Sequence, residues 1–214
     1  MEASREAVLV KGNLQDLEAV YQLLIKQFPP EEIYKLEHMQ QLMQNNQYVL
    51  LLYRREEDGA IVGYVTVYSA PDCDIVWLDL LAIAPQFQSQ GYGRQMFQAV
   101  YQKYCGPYSG VLLCAEKVCK ENPEQARVQQ RRLDFYESLG MYPLHTEFEL
   151  PIPSGGLPMV LLYKPRKQVT SLSRVTQLHL LTEMFDYCYH HIKHRGKLLA
   201  QAKGTIVDEH FHEG

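Results

Sequence analysis

Apolar positions along this chain recur with two periods, and the alternation between them sets out the elements. A short apolar run from Ala7 to Lys11 reads as a first strand. Leu14, Leu17, Tyr21, Leu24 and Phe28 then fall at helical spacing, which predicts a helix from Leu14 to about Phe28 with Asn13 as its N-cap. Pro29 and Pro30 stop it, and a second helix is expected from Glu31 onward with Ile33, Leu36, Met39 and Met43 as its buried stripe. Tyr48 to Arg54 and Ala60 to Ser69 are apolar, β-branched or aromatic, and Glu56, Glu57, Asp58 and Gly59 supply hairpin chemistry between them. They read as antiparallel strands two and three. The run from Ile75 to Ala84 is strand four, followed by a helix from Gly91 to about Tyr104 whose Phe97, Val100, Tyr101 and Tyr104 face inward. Gly110 to Glu116 forms strand five, and a helix spans Pro123 to Leu139 and stops at Gly140.

Strands near Tyr142 to Leu150 and Met159 to Lys164 come next, with the proline- and glycine-rich stretch from Pro151 to Pro158 expected as a loop. A single long helix from about Ser173 to His194 should carry Val175, Leu178, Thr182, Phe185, Tyr189 and Ile192 on one stripe. That stripe must be covered, by the same chain or by a second copy, since it also approximates a heptad seam. The tail from Gly204 is expected to be loosely ordered. The order β-α-α-β-β-β-α-β-α-β-β plus one helix is that of an α/β protein.

A length of 214 residues with 46% hydrophobic content fits one domain, or a domain with an appendage. A net charge of −4 without a run of Lys or Arg gives no footprint for nucleic acid. The segment from Met1 to Glu6 lacks a signal-peptide core and no apolar stretch approaches the ~20 residues of a membrane span, so a soluble, cytoplasmic protein is expected. Cys73, Cys105, Cys114, Cys119 and Cys188, odd in number and irregularly spaced, read as reduced thiols. His190, His191 and His194 sit in the last helical pattern, with no carboxylate or cysteine to complete a ligand set, and no metal is expected there.

The most informative chemistry lies between strand four and its helix. Gln88, Ser89, Gln90, Gly91, Tyr92, Gly93 and Arg94 form a glycine-containing turn that opens a helix, an arrangement that aims several backbone N–H groups at one point where an anion can sit. A pyrophosphate, and hence a nucleotide cofactor, fits such a turn. A Rossmann site would need a third glycine and an acidic residue ~20 positions on, and neither is in place.

Gln88-x-x-Gly91-x-Gly93, the preceding Leu81-Ala82-Ile83, and Phe135-Tyr136-Glu137-Ser138-Leu139-Gly140 together resemble the GNAT superfamily of acyl-CoA-dependent N-acetyltransferases over about residues 7 to 164. The resemblance implies a mixed, mostly antiparallel sheet with helices on both faces and strands four and five splayed apart, plus an extra C-terminal helix. It implies that the main chain of Leu81, Ala82 and Ile83 holds the pantetheine of acetyl-CoA, and that residues 88 to 94 cradle its pyrophosphate. It makes Tyr136 the candidate acid beside the CoA sulfur, since a phenol of ordinary pKa ~10 stays protonated at neutral pH; a core tyrosine in a stripe with Val128, Phe135 and Leu139 is the alternative. Asp79, the one carboxylate inside an apolar strand, is the candidate base or else a structural ligand of backbone groups. Glu116, at the end of strand five, is a candidate anchor for a cationic amine or an ordinary solvated carboxylate.

Two positions depart from the family pattern. Gln129 stands where many members have an asparagine that touches the cofactor, and Gln88 and Gln90 replace basic residues in the loop, leaving phosphate binding to main-chain amides and Arg94. The implied protein is an acetyl-CoA-dependent N-acetyltransferase with a domain over residues 1–166 and a helical extension over 167–214. Its acceptor would be a small-molecule amine or a peptide amine, and a homodimer is open. A non-catalytic acyl-CoA sensor or interaction module is the alternative.

Overall fold

Antiparallel pairing starts at the N-terminal strand: β1 (Ala7–Lys11) lies against β2 (Tyr48–Arg55), which pairs with β3 (Ile61–Tyr68). The computed structural model describes residues 6–211. The strands β4 (Ile75–Ile83), β5 (Gly110–Glu116), β6 (Tyr142–Ile152) and β7 (Gly155–Pro165) extend the sheet to seven, in the order β1-β2-β3-β4-β5-β7-β6 with β4 parallel to β5. This mixed α/β sheet is the one expected. The chain divides into two compact units: residues up to Ser69 with Leu78–Pro107, and Ala70–Trp77 with the residues from Tyr108 on. The division cuts β4 between Trp77 and Leu78.

In the first unit, Asn13 caps α1 (Leu14–Gln27) as expected: its Oδ1 accepts the Asp16 N–H at 2.9 Å while Asp16 Oδ2 accepts the Asn13 N–H at 3.0 Å. The buried stripe is Leu17, Val20 and Leu24, whereas Leu14, the first helical residue, is exposed. The second helix, α2 (Leu36–Leu42), starts five residues later than predicted, since the segment after Pro29 and Pro30 folds into turns, with Glu32 N–H bonded to Pro29 O at 3.0 Å. After β4, α3 (Tyr92–Ala99) passes into one π-helical turn over Val100–Tyr104. Gly63 sets how closely α3 and β4 approach β3, because a Cβ there would lie 2.7 Å from both Ile83 Cδ1 and Met96 Sδ and 3.0 Å from Ala82 O. Gly63→Ala is therefore expected to cost about 1–3 kcal/mol, read as a lowered urea midpoint.

The second unit is built around Trp77 and Phe148, whose rings are 6.0 Å apart, with Phe185 a further 5.9 Å from Phe148. Between β5 and β6 runs α4 (Pro123–Ser138), capped by Asn122 and closed by Gly140 at φ +77°, where the Lys164 ammonium donates to Leu139 O. The expected loop from Pro151 to Pro158 is largely strand. Pro151 pairs with Gly156 and Ile152 with Gly155, leaving a turn of Pro153 and Ser154. Pro151 is tolerated there because β6 is the sheet edge, where one side of the strand has no ladder to complete.

The C-terminal reading needs the largest corrections. The single long helix is two, α5 (Arg174–Cys188) and α6 (Arg195–Thr205). His194, expected within a helix, is the N-cap of α6 and its Nε2 meets Gly155 O at 2.7 Å. The buried face of α5 is Gln177, Leu180, Leu181, Met184, Phe185 and Cys188, whereas Val175 is 76% exposed, so the predicted stripe was turned by part of a revolution. That face is covered within its own unit. Nor is the tail loose through Phe211: β8 (Ser171–Leu172) pairs with β9 (Glu209–His210), and the Phe211 ring lies 5.0 Å from that of Tyr142 and 5.3 Å from that of Tyr163.

This extension completes the sheet. The register of β6 slips between Pro143 and Glu147, freeing backbone groups from the ladder. The buried Glu209 accepts the His145 N–H at 2.7 Å and meets His145 Nδ1 at 2.8 Å, and Thr205 Oγ1 accepts the Glu147 N–H at 2.9 Å. Thr146 Oγ1 donates to Oε1 of the fully buried Gln177 at 3.2 Å, and Gln177 Nε2 donates to Val207 O at 2.7 Å. Among the described residues no helix is long and apolar enough to cross a membrane, and no group of three His, Cys, Asp or Glu side chains could hold a metal ion.

Candidate functional site

The edge of β4 is assigned by its hydrogen bonds. Ala84 N–H donates to Val62 O at 2.9 Å and Leu80 N–H to Thr66 Oγ1 at 3.1 Å, so these two residues address β3. Alternation along an antiparallel pair then turns the main chain of Leu81 and Ile83 to the opposite edge, and that of Ala82 back toward β3. Of the three residues expected to meet pantetheine, Ala82 presents no main-chain group on that edge. The Ile83 carbonyl accepts from Gln27 Nε2 at 2.7 Å and Gln88 Nε2 at 3.1 Å, which fills its two lone pairs. Tyr64 fixes Gln27 by donating to its Oε1 at 2.8 Å. Nothing in the sequence pattern pointed to Gln27, which comes from the far end of α1.

Beyond a short 3₁₀ turn over Pro85–Phe87, Ser89 and Gly91 both take left-handed backbone angles, φ +60° and +86°. Gly91 is the N-cap of α3 and no side chain caps that end. The first intrahelical bond runs from Gln95 N–H to Gly91 O at 3.4 Å, so the N–H groups of Tyr92, Gly93 and Arg94 precede it at the positive pole of the helix. Side chains of the loop mostly hold its own shape: Gln90 Nε2 donates to Gln86 O at 2.9 Å, Gln88 reaches Ile83, and the Tyr92 ring is buried 5.9 Å from Phe87 and 6.5 Å from Tyr53. A helix start whose first N–H groups precede the intrahelical ladder, with loop side chains folded back, suits an anion such as a pyrophosphate.

Asp79, partly exposed in β4, is gripped by phenols from two elements. Tyr48 on β2 donates to Oδ2 at 2.6 Å, and Tyr34, in the segment before α2, to Oδ1 at 3.3 Å. Tyr48 also lies 3.0 Å from Thr66 Oγ1, the atom that receives the Leu80 N–H. None of Tyr34, Tyr48 and Thr66 stands out in the sequence, because each sits inside an ordinary apolar or aromatic run.

In the second unit, α4 turns Gln129, Arg132 and Tyr136 toward β5. Gln129 Oε1 accepts the Cys119 N–H at 2.7 Å, which ties the helix to the segment after β5. Arg132 forms an ion pair with Glu116, so the expected amine anchor already has a cationic partner. Tyr136 is 7% exposed; burial pushes its phenol up to about 12, against the pull of Arg132 and with a further push from Cys114. Of the stripe expected around it, Leu139 is buried but Val128 is 47% exposed. The raised phenol predicts an alkaline loss of stability. Below pH ~10 both folded and unfolded chains keep this proton; between ~10 and about 12 only the unfolded chain releases it, so Tyr136 withdraws on the order of 2 kcal/mol as pH rises through that window. Urea midpoints measured from pH 9 to 12 should fall less steeply in Tyr136→Phe.

Residues 45–140, which include Asp79, Leu81, Ile83, the 88–94 turn, Glu116 and Tyr136, match the family model described as an acetyltransferase (GNAT) domain. This chain has the GNAT fold. No curated protein matches the chain. The GNAT fold is shared with solved structures at low identity. The ribosomal-protein-S18-alanine N-acetyltransferase of Escherichia coli aligns at TM-score 0.57 and 17% identity, over 77% of this chain and 96% of that one. A dodecameric spermidine N-acetyltransferase of Vibrio cholerae aligns at 0.56 and 14%, over 76% and 95%. NAA60 of Arabidopsis thaliana, solved in complex with acetyl-CoA, aligns at 0.57 and 14%, over 75% and 98%.

Proposed function

We propose that this chain is an N-acetyltransferase that uses acetyl-CoA to acetylate a primary amine by direct attack. The observation that carries the reading is the uncapped start of α3 behind Ser89 and Gly91, directly after a strand whose Leu81 and Ile83 main chain faces away from β3. Gln88 N–H is taken by Pro85 O at 3.3 Å, so main-chain donors of residues 89 to 94 bind the pyrophosphate, Arg94 adds charge, and Leu81 with the Ile83 N–H pairs with pantetheine amides. The amine nitrogen bonds to the thioester carbonyl carbon as the carbon–sulfur bond breaks. Tyr136 gives its proton to the departing sulfur, and Asp79 receives the proton of the amine, directly or through water. No covalent enzyme intermediate is required.

The acceptor is a small cationic amine or a peptide amine. Glu116 anchors its cation only by sharing with Arg132. The five cysteines, none of them in a disulfide, fit the reducing cytoplasm. The test is incubation with acetyl-CoA and a broad amine panel, following free thiol: acceptor-dependent thiol release is expected, binding without release makes the protein an acyl-CoA sensor, and absence of binding removes both. Gly91→Val forces a β-branched residue into a left-handed backbone and should weaken acetyl-CoA about tenfold by calorimetry. Unchanged affinity in a folded variant would move the phosphate site elsewhere.

A further inference from the structure

Asp79 is placed where it can carry a proton or release it without losing its hydrogen bonds, and the reason lies behind it. We infer that Tyr48 and Thr66 form a reversible hydroxyl relay that accommodates both protonation states of Asp79. Three atoms are linked in succession: Asp79 Oδ2, Tyr48 Oη at 2.6 Å from it, and Thr66 Oγ1 at 3.0 Å from Oη, itself fixed by the Leu80 N–H at 3.1 Å. Both hydroxyl residues are about 1% exposed, so water does not substitute for either partner.

The chain of bonds can run in two directions. With Asp79 ionised, Tyr48 donates to Oδ2 and Thr66 donates to Tyr48, while Thr66 accepts the Leu80 N–H. With Oδ2 protonated, Asp79 donates to the Tyr48 oxygen and the phenol turns to donate to Thr66, whose second lone pair receives it. A carboxylate that served only as a structural ligand would need the first arrangement alone. Tyr34 grips the other oxygen in both states, accepting nothing from Oδ2, and His38 packs edge-on against the Tyr34 ring at 5.1 Å. Tyr48 on β2 and Tyr34 before α2 are titratable groups bonded to the carboxylate, with His38 one layer out. Tyr48 and Thr66 are positioning residues, acting on the reaction through Asp79.

The relay rests on the proposed base role of Asp79 only for its use in turnover, so it is tested separately from it. Carboxyl carbon NMR of aspartate-labelled protein, assigned with Asp79→Asn, gives the Asp79 titration midpoint directly. Thr66→Val removes the acceptor needed by the protonated arrangement and should lower that midpoint by about one pH unit. Tyr48→Phe removes the donor to the carboxylate and should raise it by a similar amount. Thr66→Ser keeps the hydroxyl and should titrate like the natural chain. The acidic limb of kcat/KM should follow both shifts.

Midpoints that coincide in all variants, that move in the same direction in Thr66→Val and Tyr48→Phe, or that shift as far in Thr66→Ser as in Thr66→Val overturn the relay. Opposed NMR shifts with an unchanged pH profile in Asp79→Asn leave the relay standing and remove the base role.

Discussion

Tyr136→Phe should lower kcat by about 10²-fold once chemistry is shown to limit turnover. The substitution deletes one hydroxyl and keeps the ring, so the packing beside Phe135 and Leu139 persists and acetyl-CoA affinity should change by less than about twofold. A thiolate leaving from a buried site has little water to protonate it, and a phenol held protonated to about 12 can do so at any physiological pH. Arg132 nearby would steady the phenolate left behind. The rate loss should appear in single-turnover acetyl transfer, and equally in kcat/KM, because the donated proton matters only as the carbon–sulfur bond breaks. Full activity in Tyr136→Phe would reduce this residue to a core tyrosine.

Cutting the chain after Arg166 should abolish cooperative folding of the second unit. The extension is not an accessory on a finished domain. It buries Leu172, Leu180, Leu181, Met184, Phe185 and Cys188, with the Phe185 ring against Phe148. Six such side chains contribute roughly 10 kcal/mol of burial, comparable with the whole net stability of a typical domain. The cut would also remove the Glu209 and Thr205 oxygens that accept the His145 and Glu147 N–H groups, at about 0.5–1.5 kcal/mol for each hydrogen bond lost to water. The 1–166 fragment should show poor amide dispersion and a broad urea transition. A sharp transition at the full-length midpoint would make the extension a dispensable appendage.

The GNAT assignment was legible early because the features that carry it are local. A strand, a turn that needs left-handed angles and a helix start are adjacent in sequence, so the turn at Gly91 and the start of α3 were legible before any packing was known. The surroundings of the candidate acid and base were hidden for the opposite reason. Gln27 reaches Ile83 across 56 residues, Tyr34 reaches Asp79 across 45 and Tyr48 across 31. Arg132 was visible only as one of several polar residues on α4, yet it holds Glu116.

The C-terminal errors share one cause. Apolar spacing alone gives the period of a helix but not which arc of it faces the core or where it breaks. The break between α5 and α6 falls where His194 meets the β6–β7 turn, a contact between residues 39 apart.

What the sequence determined by itself was the order of elements from β1 to β7, the α/β class and the glycine turn that opens α3, since periodicity, caps and backbone angles act over a few residues. What tertiary structure decided was which side chains are already engaged: the Ile83 carbonyl filled by glutamines, Glu116 matched by Arg132, Asp79 held by two phenols, and a slipped β6 closed by the C-terminal extension. Hydrogen bonds and ion pairs form between whatever groups the fold brings within about 3 Å, and that proximity is a property of the packed chain.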